Sequence, residues 1–153
     1  MECEIKWNAG DGISFAAKTG SGHSIVLDTA KDVTEATVGP RPMEAFLVGA
    51  VACTQYDLVA GIKQAGGILH SCKAMANGVR NKNSPKIFTQ ISVHFSIESD
   101  NISYEVVQQI LDASREVHGS AMKMLGKSAE IVFDFELLPS NSYLQPNKTK
   151  KLR

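Results

Sequence analysis

One stretch constrains this chain's fold more than any other. From Met43 to Gln64 an apolar residue falls on nearly every side of a helix, and only Glu44, Thr54, Gln55, Asp57, Lys63 and Gln64 are distinctly polar. A helix that is apolar all round needs burial all round. A chain of 153 residues is of one-domain length and has little material to wrap such a helix completely. The pattern therefore predicts a buried central helix shared with a partner subunit. Pro42 suits its first turn, and Gly66-Gly67 stops it.

Around this helix the chain alternates. Residues 3–8, 13–17 and 23–28 read as short strands separated by turns at Gly10-Asp11-Gly12 and Gly20-Ser21-Gly22, the signature of an antiparallel meander. A loop over 29–41 leads to the central helix. Residues 68–79 and 87–98 read as a hairpin, the second strand alternating most clearly. Ser103 is a suitable N-cap for a helix from Tyr104 to about His118, with Val106, Val107, Ile110 and Leu111 on one face. Gly119 interrupts it, a further turn runs through Met122, Met124 and Leu125, and residues 129–137 form a last strand. The fold class is α+β: antiparallel sheets with two main helices. Residues 1–138 read as a single domain, and 139–153 as a flexible basic tail ending in Lys148, Lys150, Lys151 and Arg153.

Charge and cysteine usage exclude several classes. Sixteen basic and sixteen acidic residues cancel, so neither nucleic acid nor an anionic membrane is expected as a partner. The first residues, MECEIKW, lack the apolar core of a signal peptide. No uninterrupted apolar run approaches the ~20 residues of a membrane span. Three cysteines without a CxxC pair predict free thiols in the cytoplasm rather than disulfides or structural zinc. No metal-ligand spacing, phosphate-binding loop or dinucleotide fingerprint occurs, so no metal and no cofactor is expected.

Cys53 is the residue of chemical interest, lying in the middle of the apolar helix. A free cysteine there is either a small core hydrophobe or a nucleophile whose ionisation a nearby cation favours. Asp57, four positions on, shares its face and works against a thiolate. Glu44 complements the positive end of the helix dipole, or holds a cation against the thiol. Nine positions separate Glu44 from Cys53, placing them on opposite faces roughly 13 Å apart; serving one site would require a second subunit with an antiparallel helix. Cys3 and Cys72 read as structural or incidental. His23, His70 and His94 lie in strands and read as packing or surface residues.

These residues resemble a known family. Gly39-Pro40-Arg41-Pro42-Met43-Glu44-Ala45-Phe46-Leu47-Val48-Gly49-Ala50-Val51-Ala52-Cys53-Thr54 is similar to the G-P-x-P-M-E-L-L-L-x-A-L-G-G-C-T stretch of OsmC/Ohr proteins. Gly22–Asp28 and Lys127–Ile131 resemble that family too, so the likeness extends over roughly residues 1–138. It implies an OsmC-like fold in an intertwined homodimer with two sites at the subunit interface. It further implies peroxiredoxin-type reduction of organic hydroperoxides in a stress response: a peroxidatic thiol becomes a sulfenic acid, a second cysteine resolves it, and a dithiol reduces the disulfide. Cys53 matches the peroxidatic cysteine. Glu44 lies in the region of the family's active-site glutamate, which in the Ohr branch directly follows the proline, where this chain has Met43.

Two departures stand out. The second cysteine is expected at His118 or Gly119, and neither is a cysteine. The family's activating arginine comes from the N-terminal strands, and no arginine precedes Arg41; Lys18 or Arg41 is the substitute, and His118 a candidate base or cation beside the thiol. Without the second cysteine, resolution falls to an external thiol or to Cys72. The leading reading is a one-cysteine hydroperoxide reductase using Cys53, Glu44 and His118. One alternative is a non-catalytic homodimer that binds a small hydrophobic ligand at the interface. The other is a structural homodimer in which Cys53 is core.

Overall fold

The structure, a computed structural model, describes residues 1–9, 12–29 and 37–140, with the backbone alone for Val117 and His118. Most of the loop expected over 29–41 lies outside the described residues, as do Gly10 and Asp11 of the first turn and the expected tail from residue 141 on.

The chain forms two compact units, Met1–Gly49 and Ala50 onward. In the first, β1 (Cys3–Asn8), β2 (Ile13–Thr19) and β3 (Ser24–Thr29) pair in the antiparallel order β1-β2-β3, the expected meander. Trp7 sits opposite Phe15, and Phe15 opposite Leu27. None of the described side chains in this unit is fully buried; Ile5, Trp7, Ile13, Ile25 and Val26 are all exposed. After β3 the Asp28 carboxylate accepts from the Val38 amide (2.9 Å), and the Asp28 amide donates to the Pro40 carbonyl (3.0 Å). These bonds deliver the chain to the helix start.

Helix α1 (Pro42–Gln64) begins at the expected proline. Its first turn closes reciprocally: the Arg41 carbonyl accepts from the Ala45 amide (3.0 Å), and the Glu44 carboxylate accepts from the Arg41 amide (2.9 Å). That is the backbone half of a capping box. Gly66, at φ +85°, supplies the left-handed residue that ends the helix. Burial all round is not found within one chain: it is confined to the stripe Ala50, Val51, Thr54, Leu58 and Ile62. By length and composition α1 would suffice to cross a membrane, contrary to the sequence expectation. The core helix of a water-exposed domain passes the same test, and side-chain bonds from Gln55 and Asp57 tie α1 to β4 and to the segment after α2.

In the second unit β4 (Ile68–Arg80) and β5 (Phe88–Asp100) form the expected hairpin. Helix α2 (Tyr104–Ala113) is capped by Ser103, whose hydroxyl accepts from the Val106 amide. A π-helical turn (Ser114–His118), helix α3 (Ser120–Leu125) and strand β6 (Glu130–Leu138) follow. The sheet is mixed rather than antiparallel, because β6 runs parallel to β5 in the order β4-β5-β6. Parallel neighbours require a crossover, and α2 to α3 provides it. Alternate residues of β5 (Ile91, Val93, Phe95, Ile97) are buried, as are Leu58 and Ile62 of α1, Val107 and Leu111 of α2 and Met122 of α3. Phe95 meets Phe133 edge to face with ring centroids 6.1 Å apart. Where α1 passes α2 only a glycine fits: a Cβ on Gly61 would lie 2.7 Å from the Ile110 side chain.

Candidate functional site

Cys53 is exposed. The i, i+3, i+4 geometry of α1 places Cys53, Tyr56 and Asp57 on one face, with Ala52 beside them. Across from this face lie Gly119 and Ser120, at the junction of the π-helical turn and α3, and together they line a pocket of about 390 Å³. Such a volume suits a small molecule. Tyr56 is 74% exposed and forms an aromatic wall.

The far wall depends on an unusual turn. The Gly119 amide donates to the Ser114 carbonyl at 2.6 Å, five residues back, the widened ring of a π-turn. This turn buries Ser114, whose hydroxyl donates to the Asp57 carboxylate at 2.7 Å. The bond fixes the one formally charged side chain that lines the pocket among the described residues. The same turn makes residue 119 a glycine site, because a Cβ there would run into the Ser114 carbonyl oxygen. A cysteine at 119 is therefore incompatible with this backbone, which explains sterically one of the two positions where a resolving cysteine was expected.

The remaining sequence candidates are placed as follows. Glu44 caps the first turn of α1 through the Arg41 amide. The His118 side chain lies outside the described residues, although its backbone immediately precedes the pocket's Gly119. Cys72 is half-buried on β4 and does not line the Cys53 pocket; its carbonyl accepts from Gln55 Nε2 at 2.7 Å. Burial pushes the Cys72 thiol up, partly offset by Gln55, so it is held as a weakly nucleophilic protonated thiol. Cys3 is exposed on β1, and Lys18 lies opposite Glu4 in the β1–β2 register, where the Glu4 carboxylate forms an ion pair with Lys6 (3.0 Å). His23 lies 3.2 Å from the Ser21 hydroxyl, His70 2.9 Å from the Asp100 carboxylate, and His94 3.1 Å from that of Asp134. Among the described residues no three His, Cys, Asp or Glu side chains converge as a metal site requires.

The arrangement can present an accessible thiol to a small ligand, between a tyrosine, a fixed carboxylate and the turn at Gly119 and Ser120. Sequence reasoning registered Asp57 only as an acid near Cys53. It missed Ser114, 57 positions away, and the wall formed by Gly119 and Ser120. The available signal was a lone acid in the middle of an apolar helix, which needs a hydrogen-bonding partner if it is to be packed there.

Comparison with known proteins places the chain. The profile of the family described as OsmC-like protein matches residues 34–134. Protein YhfA of Escherichia coli (strain K12) is 27% identical over 138 residues, spanning 90% of this chain and 98% of its own. An OsmC like protein from Mycoplasma pneumoniae superposes with a TM-score of 0.72 at 20% identity, covering 90% of this chain and 98% of that one. The organic hydroperoxide resistance protein OhrB of Bacillus subtilis superposes with a TM-score of 0.59 at 14% identity, covering 89% and 98%. At these identities the two structural matches speak to fold.

Proposed function

Because this chain belongs to the OsmC-like protein family, we propose that it is a stress-related thiol protein whose Cys53 reduces small organic hydroperoxides without a resolving cysteine of its own. The observation that carries this reading is the exposure of Cys53 in a small pocket, rather than burial among aliphatic side chains. The Cys53 thiolate attacks the terminal peroxide oxygen and the O–O bond breaks. Sulfur is oxidised to a sulfenic acid, and the substrate leaves as an alcohol after protonation. An external thiol condenses with the sulfenic acid, releasing water and forming a mixed disulfide. A second external thiol attacks that disulfide, restoring Cys53 and leaving the oxidised reductant.

In this reading His118, one residue before Gly119, acts as base or cation at the thiol, and Glu44 reaches the site from a second subunit. The working form is an intertwined homodimer. The exposed apolar side chains of β1–β3 and of α1, Phe46 and Val48 among them, support it. Residues 1–138 act as one domain followed by a basic tail, in the cytoplasm, where reducing thiols keep Cys53 reduced.

A second reading has its own support: no lysine or arginine lines the pocket among the described residues, which favours a non-catalytic member that holds a small apolar ligand there. One experiment separates the two. Reduced protein is mixed with cumene hydroperoxide, and sulfenic acid is trapped with dimedone and read by mass spectrometry, in wild type and Cys53→Ser. A Cys53-dependent adduct with loss of peroxide is expected; no adduct and undiminished peroxide would overturn the peroxidase reading and leave the ligand-binding one.

A further inference from the structure

We infer that the Cys53 pocket selects its thiol-reactive ligand by charge, admitting neutral and cationic molecules and turning anionic ones away, with Asp57 as the specificity-determining residue. This rests on the reading of Cys53 as the reacting thiol and narrows the substrate class to uncharged or amine-bearing molecules. Three features carry it. Among the described residues Asp57 is the only formally charged side chain that lines the pocket, the others being Ala52, Cys53, Tyr56, Gly119 and Ser120. The carboxylate cannot simply swing aside, because Ser114, buried in the π-helical turn, donates to one of its oxygens at 2.7 Å. Two cations of the crossover hold partners outside the pocket: Arg115 pairs with Asp112 (3.1 Å) and Glu116 (3.5 Å), and the Lys123 ammonium donates to the Glu116 carbonyl.

An i, i+4 neighbour on a helix sits about 5–6 Å away between Cβ atoms. A full charge at that range, in a partly enclosed pocket, acts on any ionic group that must pass it to reach the sulfur. A carboxylate-bearing hydroperoxide or an anionic thiol is repelled, whereas an alkyl hydroperoxide without charge is not. A partner subunit that brought Glu44 to the site would add to the same sign.

The test compares two reagents of equal chemistry and opposite charge, trimethylammonioethyl methanethiosulfonate and sulfonatoethyl methanethiosulfonate. Each transfers its thio group to a cysteine sulfur and releases methanesulfinate. Rates at Cys53 of the full-length protein are read by peptide mass spectrometry at about pH 8, where an ordinary histidine, with a pKa of about 6.5, is neutral. They are normalised to mercaptoethanol, which removes the reagents' intrinsic difference. Wild type is expected to favour the cationic reagent at least about fivefold at low salt. Asp57→Asn, which keeps an acceptor for Ser114, is expected to bring the ratio near one. In wild type alone, raising ionic strength from about 0.01 M to about 1 M shortens the screening length from ~30 Å to ~3 Å and should collapse the preference. A wild-type ratio near one, a ratio insensitive to salt, or an Asp57→Asn variant that retains it overturns the inference; the salt series decides the matter if that variant does not fold. Because these reagents need no peroxide chemistry, a charge preference without sulfenic acid formation would leave the inference standing and remove the peroxidase reading alone.

Discussion

The two three-stranded sheets of this chain are built on different terms. Strand β5 runs through the middle of its sheet with Ile91, Val93, Phe95 and Ile97 buried, and α1, α2 and α3 all contribute buried residues to the same unit. The sheet β1-β2-β3 has the same number of strands and comparable apolar content but no buried side chain, and Trp7 is 61% exposed. A small sheet gains its stability by covering one face, and contiguous exposed apolar surface marks an interaction site. The second unit carries its own core. The first presents the apolar surface that a partner subunit would cover, which is why the homodimer belongs to the proposed function.

Four experiments break or sharpen that contrast. Phe95→Ala removes a buried ring in contact with Phe133 and should cost about 3–5 kcal/mol, read as a large fall in the urea midpoint; a near-neutral result would deny the second unit its core. Trp7→Glu should act on assembly instead. It is expected to weaken self-association at least about tenfold, ~1.4 kcal/mol, in sedimentation at micromolar protein. Trp7 is the chain's single tryptophan, so in wild type its emission should shift to the blue as concentration rises. A wild-type monomer with a water-exposed Trp7 at every concentration would end the dimer reading.

A smaller gain is expected at Thr54, whose hydroxyl is buried with no hydrogen-bond partner among the described residues. Thr54→Val keeps the shape and removes the unpaired group, so thermal unfolding should show stabilisation of up to about 1 kcal/mol. The smallest effect concerns Asp100, whose carboxyl is held below the usual range first by the His70 hydrogen bond and then by those from Ser140. A carboxyl with a lowered folded-state pKa contributes in full above its unfolded value of about 3.9, and the contribution is lost as pH falls through the folded value. Asp100→Asn should therefore flatten the acid limb of the stability profile below about pH 4 and cost a little at neutral pH. An unchanged acid limb would show that the Asp100 contacts contribute nothing measurable.

Much of this fold is legible in the sequence wherever a local rule decides the outcome. Pro42 starts α1, Ser103 caps α2, and the alternation of 87–98 fixes the faces of β5. Direction is not legible: side chains alternate with period two in parallel and antiparallel strands alike, so nothing in residues 130–138 announces that β6 runs parallel to β5. The site was legible in part. The helix that carries Cys53 and Asp57 follows from periodicity, and so does their shared face. The π-turn at Ser114 does not, because its widened ring differs from an ordinary helical turn by one residue of hydrogen-bond register. The pairing of Ser114 with Asp57 depends on how distant segments pack, which no local pattern encodes.

The parallel pairing of β5 with β6 bears on when the site can exist at all. Gly119 and Ser120 belong to the long connection between these strands. Pairing parallel strands across so long a connection is slow compared with forming a helix or a hairpin. During synthesis, α1 and the β4–β5 hairpin are complete before the crossover and β6 emerge. A newly made chain thus passes through a stage in which Cys53 is present and solvent-facing but has neither its far wall nor the tether on Asp57. In that interval the charge selectivity proposed for the folded pocket has Asp57 beside the thiol but no far wall to narrow the approach and no Ser114 bond to hold the carboxylate.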